Sequence, residues 1–181
     1  MKFIFDISLF LVLPSIVVYC FLRVIFLKKY PLDFFKEIIR VLFISYIIFL
    51  VYFVWLMPTA IFETIRYNFV PFSTILMYVN EILNGNIGIG ARNLFGNILL
   101  TFPFGVFIYL TFGRCRRIYI FCVALCIPIV IELGQLIFHL AGKGTRSIDI
   151  DDIILNALGI FIGYITMMVG LRLLNIHNNR V

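Results

Sequence analysis

The sequence predicts an all-α integral membrane protein, a helical bundle with about five transmembrane helices. Hydrophobic residues make up 63% of the chain and charged residues only 13%, whereas a soluble domain carries about 25% charge. The mean hydropathy is +1.10. Each apolar stretch is long enough to cross a hydrocarbon core of about 30 Å, which takes roughly 20 helical residues. These stretches lie at about residues 5–26, 38–57, 94–112, 118–140 and 152–172.

The first two spans, within residues 5–57, are apolar and generic. The first follows Lys2 and lacks a small-residue cleavage site, so we interpret it as an uncleaved span. Pro14 removes a backbone hydrogen bond and is expected to kink or loosen this helix. Because the loops are short, no soluble catalytic domain is expected, and residues 1–181 are predicted to form a single membrane domain.

The basic residues bracket the apolar spans, so the net charge of +6 indicates membrane orientation rather than binding to nucleic acid. Ten Lys and Arg residues fall on one side of the predicted topology and five on the other. By the positive-inside rule, the N-terminus lies outside and the C-terminus in the cytoplasm. The ten inner residues are Arg23, Lys28, Lys29, Lys36, Arg40, Arg114, Arg116, Arg117, Arg172 and Arg180.

Residues 58–91 are mixed in polarity and are predicted to form a loop on the outer surface. Within it, residues 72–84 have helical periodicity, and residues 70–72 would turn the chain into this helix. We expect an interfacial or re-entrant helix that covers the mouth of a cleft. Its predicted apolar stripe is Ile75, Leu76, Val79, Ile82 and Leu83.

The last three spans, within residues 92–174, contain ionisable and amide side chains that are costly in hydrocarbon. Spans three and five begin at the outer surface and span four ends there. The polar positions therefore fall in one layer, roughly 5 to 12 Å deep at 1.5 Å per residue. Helical spacings of three, four and seven place each set on one face, which predicts a polar cleft open to the outside. The sets are Asn93 and Asn97; Glu132, Gln135 and His139; and Asp149, Asp152 and Asn156.

The connection at residues 141–149, AGKGTRSID, is predicted to be a short outer loop that brings Arg146 to the rim of the cleft. Ser147 or Asp149 is expected to cap the helix that follows. Asp151 and Asp152 lie in the first turn of that helix, where the helix dipole favours carboxylates.

Small residues in spans three and five predict how these helices pack. Gly159 and Gly163 have the small-xxx-small spacing that permits close contact between helices. Pro103, followed by Gly105, predicts a break in the hydrogen bonding of span three.

Four motifs occur in an order that resembles the VanZ-like family of bacterial membrane proteins. They are VPFSTI at 70–75, NLFGNILLTFPFG at 93–105, IELGQ at 131–135 and RSIDIDDIILNALGIFIGY at 146–164. The resemblance implies a role at the bacterial envelope, in the cytoplasmic membrane, with family members linked to low-level resistance to the glycopeptide teicoplanin. Asp151 stands where the pattern is looser. The motif residues carried over are Asn93, Asn97, Pro103, Gly105, Glu132, Gln135, Arg146, Asp149, Asp152, Asn156 and Gly159.

Three carboxylates are candidates for catalysis: Glu132, Asp149 and Asp152. Glu132 would act as a general acid or base on a lipid head group or phosphoester. Alternatively, Glu132 forms an ion pair with Arg146 or Arg92, or the three carboxylates hold a divalent cation. His139 is interpreted as a structural residue. Candidates for substrate binding are Arg92, Asn93, Asn97, Gln135, Arg146 and Asn156.

Three functions remain open on the sequence alone. The first is an envelope protein that binds or modifies a membrane lipid or lipid-linked precursor and thereby contributes to glycopeptide resistance. The second is a non-catalytic membrane scaffold or sensor. The third is a small-solute transporter, which is disfavoured because the inner halves of the spans carry almost no polar residues.

Overall fold

The computed structural model describes residues 2–26, 31–57, 67–143 and 148–178, with the side chains of residues 13–26, 31–57, 67–142 and 148–174. The described residues are 87% helical, which agrees with the predicted all-α class. It divides into two compact units, residues 1–57 and 58–181. This boundary coincides with the predicted end of the two N-terminal spans.

The first unit contains helix α1 (Lys2–Phe26) and helix α2 (Phe34–Val51), which continues as a π-helical turn at Tyr52–Leu56. α1 is continuous through Pro14, where the sequence predicted a kink or a loosened helix. Asp33 caps α2, because its carboxylate accepts a hydrogen bond from the backbone N–H of Lys36 at 3.3 Å.

The second unit contains helices α3 (Ser73–Leu83), α4 (Ile87–Phe112), α5 (Arg117–Phe138, with a π-helical extension at His139–Lys143) and α6 (Ile150–Asn178). The predicted helix at residues 72–84 is therefore confirmed. A small addition is a parallel pair of two-residue strands, β1 (Tyr67–Asn68) and β2 (Ile148–Asp149).

The all-α membrane bundle is confirmed by the length and apolar composition of the helices. Four helices in the described part of the chain are long and apolar enough to cross a membrane, and Leu13–Phe26 of α1 is a shorter apolar helix. The four are Phe34–Leu56, Ile87–Phe112, Arg117–Gly142 and Ile150–Leu174.

α4 differs from its predicted span in two ways. It begins at Ile87, so the glycine-rich end of the predicted 58–91 loop is helical. The low helix propensity of glycine is overridden here by packing, since a Cβ at Gly90 would overlap the carbonyl of Tyr78 on α3. Secondly, α4 continues through Pro103, which has no N–H to donate, and packs against α6 on both sides of this residue, at Thr101 and Gly105.

The closest helix packing in this unit joins α4 to α6, as Gly159 and Gly163 predicted. A Cβ at Gly159 would overlap the carbonyl of Ile98, and one at Gly163 would overlap the carbonyl of Phe102. Gly105 of α4 makes the reciprocal contact with the α6 backbone. The two helices therefore meet backbone to backbone, which fixes the relative height of the polar side chains that they carry.

α3 packs by a face that includes three of the five residues of the predicted stripe. Ile75, Val79 and Ile82 are half-buried together with Thr74 and Tyr78, whereas Leu76 and Leu83 are exposed. The stripe is therefore confirmed in part, and the polar contacts of Thr74 add to this face a residue that hydrophobic periodicity does not identify.

Candidate functional site

Asp151 connects α6 to the start of α3. Its carboxylate accepts hydrogen bonds from the backbone N–H groups of Phe72 (2.6 Å), Thr74 (2.8 Å) and Ile75 (3.1 Å). The side chain is 0% exposed. α3 needs this external cap, because the residue before it is Phe72, which has no capping side chain and adopts a left-handed φ of 68°.

Asp149 links the two short strands, α3 and α6. Its Oδ1 accepts from the side-chain amide of Asn68 at 2.8 Å and from the backbone N–H of Asp151 at 2.9 Å. Its Oδ2 accepts from the hydroxyl of Thr74 at 2.6 Å. The bond to Asp151 confirms that Asp149 caps α6, whereas Ser147 lies outside the described residues.

Glu132 and Asp152 bring α5 and α4 into the same cluster. Glu132 is buried, and its Oε2 accepts a hydrogen bond from the backbone N–H of Asp149 at 3.3 Å. The side-chain amide of Asn97 on α4 donates to Oδ1 of Asp152 on α6. The polar side chains of three helices therefore meet, as predicted, in the first half of α4, the first turn of α6 and the second half of α5. We call this cluster the polar network: Asn68, Thr74, Asn97, Glu132, Asp149, Asp151 and Asp152.

Two buried amides lie one turn further along the same helix faces, three and four residues beyond Glu132 and Asp152. Gln135 on α5 is 8% exposed and Asn156 on α6 is 1% exposed. Neither Gln135 Oε1 nor Asn156 Oδ1 accepts a hydrogen bond from any residue that the structure describes. A buried polar group left without a partner costs about 1–3 kcal/mol, so these positions favour a hydrogen-bonding ligand.

The arginines and Asn93 stand apart from these contacts. Arg92 is exposed on α4 and forms no ion pair with the residues that the structure describes, so it is not the partner of Glu132. Asn93 is half-buried one turn before Asn97. Arg146 lies outside the described residues, and its predicted place at the rim stays a prediction.

The alternative of a divalent cation gains no support from this arrangement. Within the described residues, no three His, Cys, Asp or Glu side chains form a group that could hold a metal ion. The Asp149 and Asp151 oxygens instead accept hydrogen bonds from N–H and O–H donors.

Tyr78 of α3 lies close enough to two of these carboxylates to respond to their charge. Burial raises the pKa of its phenol above the ordinary value of 10.0, and the charges of Asp152 and Asp149 raise it further. The folded protein therefore holds this proton more tightly than the unfolded chain does. Stability should fall as the pH rises above about 10, because the unfolded chain ionises first.

This titration predicts a measurable difference between the protein and its Tyr78→Phe variant. Above pH 10 the melting temperature of the wild type should decrease more steeply with pH than that of the variant. The difference in phenolate absorbance between the two proteins should have its midpoint above pH 10. A midpoint at the ordinary value, with identical slopes, would place Tyr78 away from Asp149 and Asp152.

Some residues of the polar network were not identified from the sequence. Asn68 and Thr74 carried no signal of their own, although Thr74 belongs to the VPFSTI motif. Asp151 was ranked below its neighbours, yet its carboxylate accepts three backbone hydrogen bonds at the start of α3. The absence of a capping side chain before α3 is the signal that could have revealed an external acceptor.

The chemistry of this arrangement divides into two parts. Asp149 and Asp151 are saturated by donors within the protein, so their first role is structural. The amide oxygens of Gln135 and Asn156 accept no hydrogen bond from the described residues, and Glu132 adds a buried carboxylate three residues before Gln135. An amide oxygen is an acceptor, so this part suits a ligand that donates hydrogen bonds from hydroxyl, amine or amide groups.

Comparison with known proteins identifies the family of this chain. The model of the VanZ/LLP1 family matches residues 43–173. This range contains the four motifs and all the residues of the polar network. No curated protein and no solved structure matches the chain. The protein therefore belongs to the VanZ/LLP1 family.

Proposed function

We propose that this protein acts in the bacterial cytoplasmic membrane by holding the polar head group of an envelope lipid or lipid-linked precursor beside the polar network. Occupation of this site would lower the access of glycopeptides such as teicoplanin to their target. The observation that carries the proposal is the pair of buried, vacant amides, Gln135 and Asn156. A head group that bears hydroxyl or amide groups would satisfy both.

The distribution of charge supports an outward-facing site. Ten Lys and Arg residues bracket the spans on one side and five on the other, so the positive-inside rule puts the start of α4 and α6 outside. Glycopeptides act from that side of the membrane. The N-terminus would then be outside and the C-terminus in the cytoplasm.

An enzymatic version of the proposal assigns Glu132 as the general base. Its carboxylate is buried, and it lies three residues, or about one helical turn, before Gln135. It would take a proton from a head-group hydroxyl held by the two amides. Overexpression should then change the profile of membrane lipids or lipid-linked precursors, and an unaltered profile would leave binding without catalysis.

Replacement of the vacant amides should separate function from stability. In Gln135→Met and Asn156→Leu, an unsatisfied polar group gives way to an apolar side chain of similar size. We therefore expect the melting temperature and membrane abundance to stay the same or rise. Teicoplanin protection in a susceptible host should fall to the level of the empty vector, because the ligand loses its partners.

Each variant needs measurements of both the minimum inhibitory concentration and the abundance of the protein. Tyr52→Phe, in the π-helical turn that continues α2, is the control and should retain protection. If both variants gave full protection at wild-type abundance, the two amides would not belong to the site that confers protection. Loss of abundance in both would show that the amides are structural.

A scaffold or sensor is the second candidate function. It is favoured by Asp149 and Asp151, whose carboxylates bind donors within the protein. The bonds made by Asp149 and Asp151 join α3, α5 and α6 without any ligand. If this were the whole role, substitution of Gln135 or Asn156 would leave protection intact, whereas substitution of Asp149 would reduce abundance.

A further inference from the structure

A pocket of about 360 Å³ lies in the first unit, where α1 ends and α2 begins. It is lined by Tyr19, Arg23, Leu32, Phe34 and Glu37. Arg23 is in the last turn of α1 and Glu37 in the first turn of α2. Both helices are apolar beyond these turns, so the pocket lies at the level where lipid head groups meet the hydrocarbon.

The walls of this pocket carry charges that are largely buried. Oε1 of Glu37 accepts from Arg40 at 2.8 Å and lies 3.5 Å from a guanidinium nitrogen of Arg23. Glu37 Oε2 and the Tyr19 hydroxyl are also buried, and neither has a hydrogen-bond partner among the described residues. Tyr19 is only 9% exposed. A ligand that bonds to both atoms would relieve two unsatisfied polar groups.

A second, apolar pocket continues from the first one along α2. It has a volume of about 300 Å³ and is lined by Phe34, Glu37, Ile38, Val41 and Leu42. Phe34 and Glu37 line both pockets. Both pockets have a mainly apolar surface, and the wall of the first one also holds the buried polar groups of Arg23, Glu37 and Tyr19. Together they have the layout of a phospholipid, with its head group beside these polar groups and the start of one acyl chain along α2.

The charge of the surrounding sequence favours a phosphate-bearing ligand. Between residues 23 and 40 there are five basic residues and two acidic ones. Such a cluster beside a membrane span attracts anionic phosphate groups. Arginine is also the side chain best suited to phosphate, because its planar guanidinium can donate two parallel hydrogen bonds.

We propose that the first unit binds a phospholipid whose phosphodiester accepts hydrogen bonds from Arg23 and the Tyr19 hydroxyl. A hydroxyl or amine on the same head group donates to Glu37 Oε2. Phosphatidylglycerol and phosphatidylethanolamine share this chemistry. Phosphatidylcholine has the phosphodiester but no donor, so it is the matched control lipid. This site is independent of the function proposed for the polar network.

Native mass spectrometry of the full-length protein, released from micelles with equal amounts of the three lipids, tests the proposal. We expect phosphatidylglycerol or phosphatidylethanolamine to be retained about tenfold more than phosphatidylcholine. A tenfold ratio corresponds to a difference of roughly 1.4 kcal/mol in binding free energy. Whichever of phosphatidylglycerol and phosphatidylethanolamine is retained more strongly carries the head group that the site prefers. Equal retention of all three lipids, or retention of none, would overturn the proposal.

The Tyr19→Phe variant tests the assigned contact without removing a charge or a ring. It should lose most of the lipid that the wild type retains, because the phosphodiester loses a donor. Tyr52→Phe removes a hydroxyl just beyond the other end of α2, fifteen residues or about 22 Å along the helix from Glu37, and should behave as wild type. Unchanged retention by Tyr19→Phe would contradict the site.

Discussion

Substitution of Asp151 by alanine should detach α3 from α6 and lower the free energy of unfolding by roughly 3 kcal/mol or more. The physical reason is that three backbone N–H groups, of Phe72, Thr74 and Ile75, lose their acceptor together. Asn at this position should also destabilise, because one carboxylate oxygen would become an amide that donates instead of accepting. Thermal unfolding in detergent measures both effects.

Identifying which backbone amides lose protection tests the role of Asp151 more specifically than the melting temperature does. Hydrogen exchange at the amides of residues 72–75 should accelerate strongly in Asp151→Ala, while exchange within α2 stays the same. Asp33→Ala is the matched control, because Asp33 is also a helix cap but is exposed and accepts from one backbone N–H. If both variants lost equal stability, Asp151 would not be the anchor of α3.

Substitution of Gly163 by alanine should separate α6 from α4 and destabilise the second unit by about 3 kcal/mol. The new Cβ would overlap the carbonyl carbon and oxygen of Phe102, which belong to backbone and cannot rotate away. The polar network should also be disturbed, since the Asn97–Asp152 bond depends on the same helix pair. Thermal unfolding and teicoplanin protection should both decline.

Gly170 provides the control within the same helix. A Cβ at Gly170 meets no atom within 4 Å, so Gly170→Ala should be neutral or stabilise by about 0.5–1 kcal/mol through helix propensity. Similar behaviour of the two alanine variants would mean that α4 and α6 are not in backbone contact at Phe102.

Most of the helices could be predicted from the sequence, because a membrane span needs only sufficient apolar length. Convergence of Asn97, Glu132 and Asp152 was also predictable, since a helix converts sequence position into depth at a fixed rise per residue. The contacts of Gly159 and Gly163 followed from their spacing. In each of these cases the structural feature is determined by the spacing of residues along one helix or by the thickness of the bilayer.

The features that were not predicted depend on contacts between elements. The start of α4 at Ile87 depends on the fit of Gly90 against Tyr78, and the start of α3 depends on the carboxylate of Asp151, which accepts from its backbone. Asn68 joins the network through a two-residue strand pair that has no pattern of its own. No periodicity of a single segment encodes such a pairing.

The structure was also needed to separate the acids whose oxygens bind donors within the protein from the amides whose oxygens do not. Asp149 and Asp152 look alike in the sequence, yet Asp149 accepts from Asn68, Thr74 and Asp151, and Asp152 accepts from Asn97. Hydrogen-bond partners 81 and 75 residues away give Asp149 its structural role. Gln135 and Asn156 were predicted as binding residues, and their unpartnered amide oxygens support that prediction.

The central claim is that the amides of Gln135 and Asn156 hold an envelope head group. A density map of the protein in membranes taken from its native lipid environment tests it most directly. We expect head-group density within hydrogen-bond distance of Gln135 Oε1 and Asn156 Oδ1, bordered by the carboxylate of Glu132. Bonding of both amide oxygens to protein side chains, with no density between α4, α5 and α6, would show that no head group is held there.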